Sequence, residues 1–194
     1  IYCLMNFFKK SLSSKFFIFI FGIILGSFLS VTFLNHYINI EILRPEPAQG
    51  KLKSYSLTHD NLDRTYDVFV PDSLKKNAPV FFIFHGSYGT SAGMRGATGF
   101  DFEYLAQEKG FLVVYPQGYK NFWNDCRGSA DYEANLKDID DIGYYKKVIN
   151  LIEKDFGINK NNIISTGISN GGHMVYKLAY EIPNSTFLHA PLVA

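Results

Sequence analysis

The sequence predicts an α/β fold with a mixed sheet, in which an antiparallel hairpin leads into parallel strands separated by helices. Three observations carry this. Two segments of alternating polarity flank a turn-forming cluster; later segments are continuous apolar runs ending in Gly or Pro; stretches of helical period lie between the runs. Of the 194 residues, 47% are hydrophobic and 19% charged, with a net charge of +1. That balance excludes a disordered chain and leaves no basic field for nucleic acid and no acidic tail for a cationic partner. Cys3 and Cys126 cannot supply a disulfide framework or a zinc ligand spacing.

The chain begins with a basic flank, Lys9, Lys10 and Lys15, followed by nineteen uncharged residues at 16–34, FFIFIFGIILGSFLSVTFL. A bilayer span needs about 20 apolar residues, whereas a cleavable signal has a shorter apolar region and a small-residue cleavage site. Residues 1–36 therefore read as a signal anchor or a signal peptide, with the N-terminus inside and the remainder extracytoplasmic. The membrane is a partner through 16–34 if the segment stays uncleaved. Pro45, Pro47 and Gly50 make 37–51 a linker, and 52–194 the domain.

Within that domain, KSYSLTH and RTYDVFVP alternate around Asp60-Asn61-Leu62-Asp63, which reads as a hairpin. Tyr55, Leu57 and His59 share one face, and Tyr66, Val68 and Val70 share another. PVFFIFHG and GFLVVYPQG follow as buried strands, and NIISTGIS is a shorter β-branched one. Between them, FDFEYLAQEKG places Phe102, Leu105 and Ala106 on one helical face and stops at Gly110. DIGYYKKVINLIEKDFG places Ile142, Tyr145, Val148, Ile149, Ile152 and Phe156 near a 3.6-residue period. Asp138, Asp140 and Asp141 crowd its start, where a helix dipole favours negative charge, and this suffices to explain Asp141. The closing FLHAPLVA reads as a further buried strand that stops without a turn signal.

Residues Gly167, Ile168, Ser169, Asn170 and Gly171 form a G-x-S-x-G pentapeptide between a predicted strand and a predicted helix. A nucleophile on such a tight turn needs glycines on either side, because a Cβ there would collide with the crossing strand and helix. Upstream, FHGSYG follows the first buried strand and matches a loop that lends one oxyanion-hole N–H. By that logic the donors are the N–H groups of Asn170 and of Ser87 or Tyr88. His85, beside Gly86, reads as a loop organiser.

RTYDVFVP, FFIFHGSYG, ATGFDFEYLAQEKGFLVVYPQG, FWND, DDIGYYKKVINLI, NIISTGISNGGHMVYKLA and the final APLVA occur in an order that resembles the polyhydroxybutyrate depolymerase and feruloyl esterase-like group of secreted α/β-hydrolases. The resemblance runs from about Leu52 to Ala194. It implies an α/β-hydrolase fold, of which these residues form the N-terminal portion, and hydrolysis of carboxylic esters through a Ser169 acyl-enzyme. It also implies that Trp123 and Asn124 lie near the site as candidate substrate contacts. No metal or organic cofactor is expected.

In this fold the triad runs Ser, then Asp or Glu, then His. After Ser169 come only His173, Glu181 and His189, in the wrong order or in the wrong place, so the acid and base are expected beyond residue 194. Three readings stay open: an esterase of polyester, feruloyl-polysaccharide or small esters; a truncated, inactive domain tethered to the membrane; a peptidase or acyltransferase on the same fold.

Overall fold

The computed structural model describes residues 22–23, 25–27, 29–30 and 49–192. The chain divides into two units, Ile1–Arg44 and Pro45–Ala194. In the first, the described residues are helical and exposed. Most of the span expected at 16–34 lies outside the described residues, and among those described no helix is long and apolar enough to cross a membrane.

The second unit opens with β1 (Lys51–His59) and β2 (Leu62–Val70), an antiparallel pair. Asp60 and Asn61 form the turn alone, both with positive φ (48° and 59°), which is the geometry that matches the twist of a two-residue hairpin. Leu62 and Asp63 belong to β2 rather than to the turn. The register sets Tyr55 opposite Tyr66, their rings stacked at 5.2 Å. Directly opposed residues point to one side, so the two expected faces are the same face of the sheet.

β3 (Val80–Phe84), β4 (Leu112–Pro116), β5 (Ile163–Ile168) and β6 (Leu188–Leu192) complete a six-stranded sheet in the order β1-β2-β4-β3-β5-β6. β2 meets β4 antiparallel, and every later neighbour is parallel. Helices α1 (Ser91–Ala97), α2 (Asp101–Lys109), α3 (Glu133–Leu136), α4 (Asp141–Phe156) and α5 (Asn170–Glu181) connect the strands.

Strand alternation divides the core in two. Val80, Phe82, Phe84, Leu112 and Val114 pack against Tyr145, Val148 and Ile152 of α4 and Met174 and Leu178 of α5. Ile83, Val113 and Tyr115 turn the other way, onto Met94 of α1 and Ala106 of α2. Covering both faces is what makes β3 and β4 continuous apolar runs. β6 differs from expectation. Its residues are half-buried or exposed, because among the described residues it is an edge strand.

Helix α2 also departs from the sequence reading. Leu105 is 46% exposed, while Glu103 is fully buried. Glu103 faces inward because Arg95 of α1 is buried too, and its Nε and one terminal nitrogen donate to the two carboxylate oxygens at 2.6 and 3.1 Å. Glu103→Ala takes the carboxylate from a buried guanidinium and is expected to cost about 3–5 kcal/mol, while a paired Arg95→Met, Glu103→Leu replacement should be near neutral. Urea unfolding of the two variants checks this; a single-variant loss below about 1 kcal/mol would contradict it.

Candidate active site

Two adjacent parallel strands, β3 and β5, end on the same side of the sheet, and their following loops meet there. After β5 the chain turns at Ser169 with φ 55° and ψ −123°, an uncommon conformation for a residue with a Cβ. The crowding around it explains both glycines. A Cβ on Gly167 would fall 2.7 Å from the Gly171 carbonyl and 2.8 Å from the Phe84 Cβ. A Cβ on Gly171 would collide with the Phe84 carbonyl and lie 2.5 Å from the His85 oxygen. The Ser169 N–H donates to the Leu192 carbonyl at 3.1 Å, so β6 ties the turn down. The residue itself is exposed.

The loop after β3 lies against this turn. A Cβ on Gly86 would stand 3.3 Å from the Ile168 oxygen and 3.5 Å from the Ser169 Cβ. The Gly89 N–H closes the loop onto the Gly86 carbonyl at 3.0 Å, with Tyr88 at φ 59°. The Ser87 hydroxyl donates to the Tyr132 hydroxyl at 2.9 Å. Asn170 provides the first N–H of α5, a group without an intrahelical acceptor. The backbone of Ser87 and Tyr88 and that N–H therefore belong to loops that adjoin at Ser169, where a helix N-terminus favours a developing negative charge.

His85 is buried, and both ring nitrogens serve the loops. Nδ1–H donates to the Gly86 carbonyl at 2.8 Å, and Nε2 accepts from the Gly118 N–H at 3.0 Å. That pattern fixes a neutral tautomer. Burial pushes the His85 pKa down, against a smaller opposing pull from the Gly86 carbonyl.

Trp123 and Asn124, expected as candidate substrate contacts, are buried and spend their polar groups on the protein itself. The Trp123 indole N–H donates to the His85 carbonyl at 2.9 Å, and its ring meets Phe84 edge-on at 5.1 Å. Asn124 donates through its amide to Asp138 and the Ile139 carbonyl, both at 3.0 Å. Its backbone N–H goes to Asp141 at 2.7 Å. Asp141 is thus more than a helix-start residue. Asp140 is the N-cap, accepting from the Gly143 N–H at 2.8 Å, while Asp141 is fully buried and accepts from Arg64 at 2.6 Å. Burial pushes the Asp141 carboxyl up, and Arg64 and the Asn124 N–H pull against it.

Asp125 escaped the sequence reading although it completes the FWND stretch. It accepts from the Asn170 amide at 2.6 Å, Arg127 Nε at 2.8 Å and the Asn135 amide at 3.1 Å. Burial pushes its pKa up, but these donors outweigh it and hold the carboxyl low.

No described histidine hydrogen-bonds the Ser169 hydroxyl. The His173 Nδ1–H donates to the Ser169 backbone oxygen at 3.0 Å. His189 sits on β6 with its ring nitrogens out of hydrogen-bond geometry, and burial lowers its pKa. His59 pairs with Asp140 at 3.0 Å. Among the described residues, His59, Asp60 and Asp140 also form the one group whose donor atoms lie close enough for a cation, although Asp140 is already engaged as a helix cap.

A mixed sheet in this order, with an exposed serine on a strained strand-to-helix turn, defines an α/β-hydrolase fold. No family model matches the chain. It is similar to a bifunctional acetylxylan esterase/xylanase of Neocallimastix patriciarum, 26% identical over 128 residues that make up 66% of this chain and 17% of that protein. Among solved structures it is similar to a ferulic acid esterase from Anaeromyces mucronatus, with a TM-score of 0.59 and 16% identity over 77% of this chain and 62% of that one. An acetyl xylan esterase from Aspergillus awamori gives a TM-score of 0.54 and 20% identity, covering 71% and 49%. The chain therefore spans less than two thirds of each of these proteins, and at these identities the solved structures establish the fold.

Because folding holds His85 neutral, the unfolded chain binds more protons below its ordinary pKa of 6.5. This contribution to stability is complete above that pH and is lost as pH falls below it. The free energy of urea unfolding is expected to drop between about pH 7.5 and about pH 5.5, and to drop less in His85→Gln. Equal slopes for the two proteins would contradict the assignment.

Proposed function

We propose that the protein is a serine hydrolase of carboxylic esters with Ser169 as nucleophile. The Ser169 elbow carries the reading: an exposed hydroxyl on a left-handed turn, at the head of a helix and against the Gly86 loop. The Ser169 oxygen attacks the ester carbonyl carbon as its proton passes to a general base. The Asn170 N–H and that of Ser87 or Tyr88 hold the resulting oxyanion. Collapse breaks the bond to the alcohol, which leaves with a proton, and the acyl-enzyme remains. Water then attacks the acyl carbon and releases the acid. Each described histidine is engaged or placed elsewhere, so this reading takes its general base from outside the described residues.

The relatives named for acetyl and feruloyl esters favour acyl groups carried on polysaccharide hydroxyls over a polyester as substrate. The basic flank before 16–34 supports an extracytoplasmic location, where such polymers occur.

The test is hydrolysis of p-nitrophenyl acetate, acetylated xylan, a feruloylated oligosaccharide and polyhydroxybutyrate by the intact gene product, including any in-frame continuation. Ser169→Ala should lower turnover of every accepted ester by at least about a thousandfold. A loss below about tenfold would overturn the assignment of the nucleophile.

A further inference from the structure

The two proposed oxyanion donors sit on different elements. One opens α5 after β5, and the other lies on the loop after β3, more than eighty residues earlier in the chain. An oxyanion hole works only if its donors keep a fixed separation before the charge develops, so something must brace one loop against the other.

Asn170 itself makes the link. Its side chain is fully buried. Oδ1 accepts from the Trp123 N–H at 2.8 Å, and Nδ2 donates to the Trp123 carbonyl at 3.1 Å and to Asp125 at 2.6 Å. Both amide hydrogens are therefore used, and the side chain grips one residue's backbone at both its donor and its acceptor. Trp123 passes the constraint on, because its indole N–H donates to the His85 carbonyl at 2.9 Å. His85 directly precedes Gly86, and its ring lies 5.0 Å from that of Trp123. The circuit runs from the head of α5, through the Asn170 side chain and Trp123, to the base of the Gly86-Ser87-Tyr88 loop. Asp125 steadies its middle through Arg127 and Asn135.

We infer that the Asn170 side chain and Trp123 are positioning residues, which set the spacing of the oxyanion donors by bracing the head of α5 against the loop after β3. The inference rests on the esterase reading above. It gives the buried Trp123 a role in the reaction without contact with substrate, and it gives Asn170 two roles, one for its backbone and one for its amide.

A merely structural network would change stability and leave the catalytic constants of the folded enzyme alone. A brace of the oxyanion hole acts on the transition state, so its loss appears in kcat with KM little changed. The experiment compares Trp123→Phe, Asn170→Ala and Ser169→Ala in the intact gene product, by steady-state kinetics on p-nitrophenyl acetate with thermal unfolding in parallel. Trp123→Phe keeps an aromatic ring beside Phe84 but loses the indole donor and leaves a small cavity, so its unfolding temperature is read beside its kcat to separate lost packing from a lost brace; it decides the matter if Asn170→Ala does not fold. The expected result is a fall in kcat of about tenfold to a hundredfold for each folded variant, with KM within about threefold. A kcat within about threefold of wild type, or a loss confined to KM, overturns the inference. Turnover abolished by Ser169→Ala but normal in Trp123→Phe overturns it alone; turnover that survives Ser169→Ala overturns the esterase reading with it.

Discussion

The structure depends on how closely the head of α5 approaches the end of β3. Gly171 packs on the carbonyls of Phe84 and His85, and Gly167 packs on Gly171 and Phe84. A Cβ at either position would have to push backbone aside, and no rotamer change could relieve it. This contact exists because β5 lies directly beside β3 in the sheet, in parallel register from Val80↔Ile163 to Phe84↔Gly167. It brings the Ser169 turn against the Gly86 loop and leaves the serine at the surface. The backbone strain at Ser169 belongs to the same close approach.

A second layer of polar contacts carries the hairpin's influence to this junction. Arg64 on β2 lies 4.1 Å over the Tyr144 ring and pairs with Asp141 at the start of α4. Asp141 in turn holds the Asn124 N–H, next to the residue that Asn170 grips. Burying such a pair costs desolvation, and apolar replacements are often as stable, so a stability argument alone explains its presence weakly. A directional network, by contrast, fixes where the loop from Phe122 to Asp125 runs.

Much of the architecture was legible from the sequence because it follows from local patterns. The alternation of KSYSLTH and RTYDVFVP, the apolar runs of β3 and β4, and Gly110 as a left-handed helix stop (φ 77°) all reappear in the structure. The G-x-S-x-G pentapeptide could be placed on a strand-to-helix turn for the same reason. What escaped were features set by distant partners. Leu105 reads as part of the apolar face of its helix, yet it is exposed while Glu103 is buried against Arg95, a partner that spacing does not reveal. Trp123 and Asn124 read, through the resemblance, as candidate substrate contacts, and the acceptors that hold them, on His85, Asp138 and Ile139, cannot be located by spacing. Asp125 and Arg64 were missed for the same reason. β6 reads as buried from its apolar letters, whereas burial depends on a neighbour that composition does not supply.

The central claim is that this junction makes Ser169, and no other serine, a nucleophile. A fluorophosphonate reacts covalently only with a serine whose hydroxyl is activated and whose oxyanion is stabilised. The most direct measurement is therefore mass spectrometry of the intact gene product after treatment with such a reagent, followed by peptide mapping. The expected result is a single adduct, on the peptide that carries Ser169. An unmodified protein, or an adduct on Ser87 or Ser91 with Ser169 free, would contradict it.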